Sequence, residues 1–185
     1  MPHPRALDVG QSVLLVIDVQ ESYRSLTVDY ETMVQGVRRL IEAARILDVP
    51  VLATEQYPKG LGHLVPEVMQ VLPSTCQVAE KISLSCCGDA RFAERLRSVE
   101  RRQVLVCGLE AHACVNQTVH DLLDSGFQVH VPYDAIASRR AVDYRIGWEK
   151  MIGSGAIPST VETACLEWLR VAGTPQFKAI QKLIR

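Results

Sequence analysis

Short apolar runs recur along this chain, and most are followed by a longer segment whose apolar residues repeat every three to four positions. The runs are "SVLLVID" (12–18), "VPVLATE" (49–55), a weaker "QVAEK" (77–81), "RRQVLVCGL" (101–109) and "FQVHVPYDA" (127–135). The longest periodic segment, "MVQGVRRLIEAARILD" (33–48), sets Val34, Val37, Leu40, Ile41, Ala44 and Leu47 on one helix face. "RFAERLRSV" (91–99), "CVNQTVHDLLDSG" (114–126) and "AVDYRIGWEKMIGSG" (141–155) also read as helices. Runs that are apolar at consecutive positions suit strands covered on both faces. Strands separated by helices are joined in parallel through right-handed crossovers. The expected architecture is therefore α/β, a three-layer α/β/α sandwich around a central, mainly parallel sheet of about six strands. Gly126 is expected to close the helix that precedes it. Ser159 and Glu162 are expected to form a capping box before "TACLEWL" (163–169), and "YPKGLGHLVPEV" (57–68) reads as a loop.

A chain of 185 residues, 48% hydrophobic and 22% charged, suits one compact domain over residues 1–185. Its formal charge of −1, with the two signs interspersed, gives no basic footprint for nucleic acid or an anionic membrane. The basic run "RLRSVERRQ" (95–103) carries Glu100 among its arginines and reads as a solvated helix end. A small-molecule substrate is the expected partner. No apolar run approaches the roughly 20 residues that span a bilayer, and the first residues show no signal-peptide pattern, so the expected location is the cytoplasm, with an organelle as the alternative. The six cysteines (Cys76, Cys86, Cys87, Cys107, Cys114 and Cys165) then read as reduced thiols. No CxxC pair or zinc-type histidine spacing occurs, so neither a metal nor a cofactor is expected.

Ligands of such sheets collect at the carboxyl ends of the strands. Three reactive residues fall there: Asp18 at the end of the first run, Lys81 at the end of the third, and Cys114 where a helix begins after the fourth. A helix N-terminus and a nearby cation both favour a thiolate, the nucleophilic form of cysteine. Asp18 can take the thiol proton and return it to a leaving amine. The turn "GLEAHAC" (108–114) can aim backbone N–H groups at a developing oxyanion. Each residue also has an ordinary role open to it: Cys114 as an inert buried thiol, Asp18 as a loop cap, Lys81 as a solvated surface lysine. Gln20 and Tyr23, and Glu55, Gln56 and Tyr57 after the second strand, are candidates for the pocket wall, with a loop-only role as the alternative. His112 lies in the 108–114 turn, its side chain facing either the site or solvent. Trp148 and Trp168 sit in helix-period segments and read as packing or interface residues.

The pieces "LLVIDVQESY" (14–23), "AEKISLSC" (79–86), "VCGLEAHACVNQT" (106–118) and "GFQVHVPYDAIASR" (126–139), in that order and spacing, resemble the isochorismatase-like cysteine hydrolase superfamily. With "TEQYPKGLGHLVPEV" (54–68), the likeness is greatest to its isochorismatase domain-containing subgroup and runs from Ser12 to Leu169. The resemblance implies a Rossmann-like fold, commonly in homo-oligomers with sites near subunit interfaces. It implies Asp18 as general base, Lys81 as stabilising cation and Cys114 as nucleophile, attacking a small amide, carbamoyl or related C–N substrate through a thioester. It also implies a cis peptide between Leu109 and Glu110, with the N–H groups of Glu110 and Cys114 forming the oxyanion hole. Two departures narrow the activity. Glu55, Gln56 and His63 have the wrong spacing for the metal set of nicotinamidases, and Cys114 argues against ether hydrolysis of isochorismate, which uses no cysteine nucleophile. Leu84 stands where relatives often carry Phe. A catalytically silent oligomeric scaffold and isochorismate-type ether hydrolysis remain the alternatives.

Overall fold

The computed structural model describes residues 3–185. Its sheet has seven strands: β1 (Ser12–Ile17), β2 (Val51–Gln56), β3 (Val78–Lys81), β4 (Gln103–Leu109), β5 (Gln128–Pro132), β6 (Ile136–Ala137) and β7 (Ile157–Ser159). They run in the order β3-β2-β1-β4-β5-β7, with β6 paired to the C-terminal end of β4, and all of these pairings are parallel. The helices are α1 (Tyr30–Ile46), α2 (Pro58–Leu61), α3 (Pro66–Met69), α4 (Ala90–Ser98), α5 (Cys114–Asp124), α6 (Ala141–Gly153), α7 (Val161–Leu169) and α8 (Pro175–Ile184). Among the described residues, no helix is long and apolar enough to cross a membrane.

The pleat explains why the strands are apolar at every position. In β1, Leu14 and Val16 enter the core beneath α1, α7 and α8, whereas Val13, Leu15 and Ile17 enter the core beneath α4, α5 and α6. β4 divides likewise, with Leu105, Cys107 and Leu109 on the first face and Val104 and Val106 on the second. In α1, Val34, Val37, Leu40, Ile41 and Ala44 are all fully buried against the sheet.

Several local expectations need correction. Ser159 belongs to β7; Thr160 caps α7 instead, its hydroxyl accepting from the Thr163 N–H, so the box with Glu162 does not form. The 57–68 segment contains two single turns of helix, α2 and α3, each begun by a proline at its first position. Two of the seven strands, β6 and β7, have only two and three residues. Gly126 does follow α5 directly after the C-cap, with φ +82°.

Strand building turns outward in both directions from β1 and β4, which are adjacent although one is first in the chain and the other fourth. The crevice beyond their carboxyl ends is the switch point where doubly wound sheets place their ligands. Gly108 allows the approach there: at φ +114°, a Cβ would lie 2.1 Å from the Ile17 carbonyl oxygen.

Candidate active site

Asp18 follows β1 in a left-handed conformation, φ +52°, which turns its side chain into the switch-point crevice. One carboxylate oxygen accepts from the Thr54 hydroxyl at 2.7 Å, and the other from Lys81 Nζ at 2.6 Å. Lys81, the last residue of β3, also donates to Gln56 Oε1 (2.7 Å) and to the carbonyls of Leu84 (3.1 Å) and Ser83 (3.3 Å). Both side chains of the ion pair are only 1% exposed. A buried pair of this kind is tolerated when further hydrogen bonds satisfy both charges, as Thr54, Gln56 and the 83–84 carbonyls do.

Cys114 opens α5 and is buried beside this pair, its Sγ 4.0 Å from Gln56 Oε1. The N-cap of α5 is Ala113, which offers no capping side chain. The Leu109–Glu110 peptide is cis. The Glu110 carbonyl accepts from the N–H groups of Ala113 and Val115, while the Glu110 and Cys114 N–H groups have no protein partner among the described residues. Unpaired N–H groups at a helix start are suited to hold negative charge.

The electrostatics of the thiol differ from the sequence reading. Burial, and after it the Asp18 charge, push Cys114 up to about 12, against the opposing pull of Lys81. Asp18 is itself raised by burial, with Lys81 and Thr54 opposing. Lys81 is held as a cation by Asp18. The resting site is thus a protonated thiol beside an ion pair and a base strengthened by desolvation.

The proposed wall residues separate according to the pleat. Thr54 and Gln56 face Asp18 and Lys81, whereas Glu55 points to the opposite face, accepting from the Leu64 N–H (2.6 Å) and pairing with His63 Nδ1 (3.0 Å). Gln20 turns away as well: it bridges β2 to the 57–65 segment, donating to the carbonyls of Gln56 and Gly62 and accepting from the Gln56 N–H. Tyr23 is half-buried near Glu110, Cys114 and Asp18, and its hydroxyl is pushed up to about 12, mainly by burial. Tyr57 is exposed and lines a cavity of about 420 Å³ that reaches Lys81. His112 turns from the crevice to Ser138 Oγ (3.0 Å).

Thr54 and Arg139 are the contacts missed in the sequence. Thr54 shares the strand face of Gln56, two residues on, a period that flags it. Arg139 Nε donates to Glu110 Oε1 at 2.6 Å across 29 residues of sequence, and no local pattern announces that. Among the described residues, no group of three or more His, Cys, Asp or Glu side chains is placed to hold a metal ion.

The isochorismatase domain model matches residues 12–163, a span that includes Asp18, Lys81 and Cys114. The chain belongs to the isochorismatase family of hydrolases. It is 42% identical over 180 residues to human isochorismatase domain-containing protein 2, covering 95% of this chain and 84% of the relative. Among solved structures, the MAR1 ribonuclease of Caenorhabditis elegans superposes with TM-score 0.92 at 38% identity, covering 97% of this chain and 92% of that one. YcaC of Escherichia coli, an octameric hydrolase of unknown specificity, shares the fold with TM-score 0.90 at 21% identity, covering 99% and 92%.

Proposed function

We propose that this isochorismatase-family hydrolase cleaves a small amide, carbamoyl or related C–N bond, with Cys114 as nucleophile, Asp18 as general base and Lys81 as stabilising cation. The observation that carries this reading is the buried Asp18–Lys81 pair set beside a thiol at an uncapped helix start. As Sγ adds to the substrate carbonyl carbon, Asp18 takes the thiol proton, so no free thiolate is needed beforehand. The Glu110 and Cys114 N–H groups hold the oxyanion of the tetrahedral intermediate. The C–N bond then breaks as Asp18 returns its proton to the leaving nitrogen, which leaves a thioester on Cys114. In the second half, water gives a proton to Asp18 and its oxygen to the acyl carbon, and the C–S bond breaks as Asp18 returns that proton to Cys114 Sγ. Lys81 stays charged throughout and favours the ionised form of Asp18 at the start of each half-reaction. Neither a cofactor nor a metal takes part in this scheme.

Burial of all three side chains favours a small substrate over a polymer. The Caenorhabditis neighbour is named a ribonuclease, but the formal charge of −1 here favours a partner other than RNA. We further propose a homo-oligomer, supported by the octameric E. coli neighbour and by the exposed apolar residues Leu26, Val28, Tyr133, Val142 and Ile146. The free cysteines fit a reducing, cytoplasmic setting.

A coupled ammonia-release screen over small amides, with Cys114→Ala as the blank, tests the activity. The expected result is release that vanishes in the blank. Equal release from both proteins overturns the nucleophile. Hydrolysis of isochorismate that survives Cys114→Ala but not Asp18→Ala supports ether hydrolysis instead.

A further inference from the structure

Three consecutive residues, the last of β6 and the two after it, grip three consecutive residues of the turn before Cys114. The Ala137 carbonyl accepts from the Ala111 N–H at 2.8 Å, Ser138 Oγ meets His112 Nδ1 at 3.0 Å, and Arg139 Nε donates to Glu110 Oε1 at 2.6 Å. The Ser138 carbonyl in turn accepts from the Val28 N–H at 3.2 Å, fastening this clasp to the segment before α1. From the other side α6 presses on the turn at Gly147, where a Cβ would lie 2.7 Å from the Ala111 carbonyl oxygen. The turn is therefore held from two directions. Among the described residues, its one charged restraint is the Arg139–Glu110 pair.

The two partners differ in burial. The Glu110 side chain is 8% exposed, whereas that of Arg139 is 52% exposed. An arginine so open adds little to the fold, because solvent screens it. Its effect is local: it fixes the side chain of the residue whose own N–H stands unpaired at the crevice. Oxyanion donors act through placement, and a misplacement of about 1 Å can cost about a hundredfold in rate.

We infer that Arg139 is a positioning residue of the oxyanion hole, acting through the Glu110 side chain to hold the Glu110 N–H in place. This rests on the cysteine-nucleophile reading above, and it assigns the residue no contact with substrate. Because the hole matters only when a carbonyl becomes tetrahedral, losing Arg139 slows acylation of Cys114 without slowing sulfur chemistry that forms no oxyanion.

Two neutral probes separate these effects on the full-length protein. p-Nitrophenyl acetate acetylates the thiol: the S–C bond forms through a tetrahedral oxyanion and p-nitrophenolate leaves. Methyl methanethiosulfonate transfers its methylthio group to the same sulfur as methanesulfinate leaves, and no carbonyl takes part. Arg139→Gln is expected to slow the p-nitrophenolate burst about tenfold or more, with the thiosulfonate rate and Tm unchanged. Glu110→Gln is expected to match it, and the double variant to lose no more than either single one, as two residues acting as one unit do. An unchanged burst in Arg139→Gln overturns the inference, as does a fall in both rates together. A burst that is absent from the parent protein, or that persists in Cys114→Ala, overturns the nucleophile reading itself and the inference with it.

Discussion

The two ends of β1 both bury polar side chains, to opposite effect. At the amino end Ser12, Gln103 and Trp168 form a neutral network: Gln103 Oε1 accepts from the Asp8 N–H (2.7 Å) and Ser12 Oγ (3.2 Å), its amide nitrogen donates to the Ala6 carbonyl and Gln128, and Trp168 Nε1 donates to Ser12 Oγ (2.9 Å). The side-chain polar atoms of Ser12, Gln103 and Trp168 there all close on other protein groups. At the carboxyl end the network is ionic, built on Asp18 and Lys81. It leaves Cys114 Sγ with a 4.0 Å contact and the Glu110 and Cys114 N–H groups with none among the described residues. Polar burial that satisfies itself serves the fold, and polar burial that leaves reactive groups over prepares a reaction.

Substitutions at the two ends sharpen that contrast. The largest effect is expected from Cys114→Ala, which removes roughly a thousandfold or more of the turnover while Tm moves little, as steady-state rates and calorimetry of one preparation will show. Lys81→Met comes next and strikes both properties. It strands a buried carboxylate, at a cost of about 3–5 kcal/mol, and lowers turnover by less than Cys114→Ala does. Its stability should recover as pH falls, because the uncompensated Asp18 then binds a proton in the folded state that the unfolded state binds only at lower pH. Denaturant melts at several pH values test this sign. Gln103→Ala, at the other end, is expected to cost about 1–3 kcal/mol through unpaired buried groups with kcat unchanged. A large loss of kcat in that variant would break the contrast.

The smallest effect lies on the back of β2. Glu55 raises the pKa of the exposed His63, so the folded state favours the imidazolium. That contribution is present below the unfolded value and is lost as pH rises through the higher folded one. His63→Asn should therefore lower Tm relative to the parent near pH 6, with the gap closing by pH 8.

How far these features could be read from the sequence follows from their range. Buried strands such as β1 and β4 declare themselves by unbroken apolar runs, and strand ends bring Asp18, Lys81 and Cys114 to the same crevice. β6 and β7 are too short to carry a period. α8 escaped notice although Thr174 caps it and Pro175 opens it, a recognisable start signal. Glu55 and Gln56 looked equivalent until the pleat set them on opposite faces. The thiol pKa went the other way because sequence shows the helix start and the lysine but not the depth of burial, which dominates. The grip of residues 137–139 on the 110–112 turn joins distant segments and required the fold.

The central claim is that Cys114 carries the acyl group, and peptide mass spectrometry after rapid quenching of p-nitrophenyl acetate turnover tests it most directly. The account predicts an acetyl group on the peptide holding Cys114, formed as fast as the burst and absent from Asp18→Asn. An acetyl group on Cys86, Cys87 or a lysine, or continued turnover with Cys114 unmodified, would contradict it.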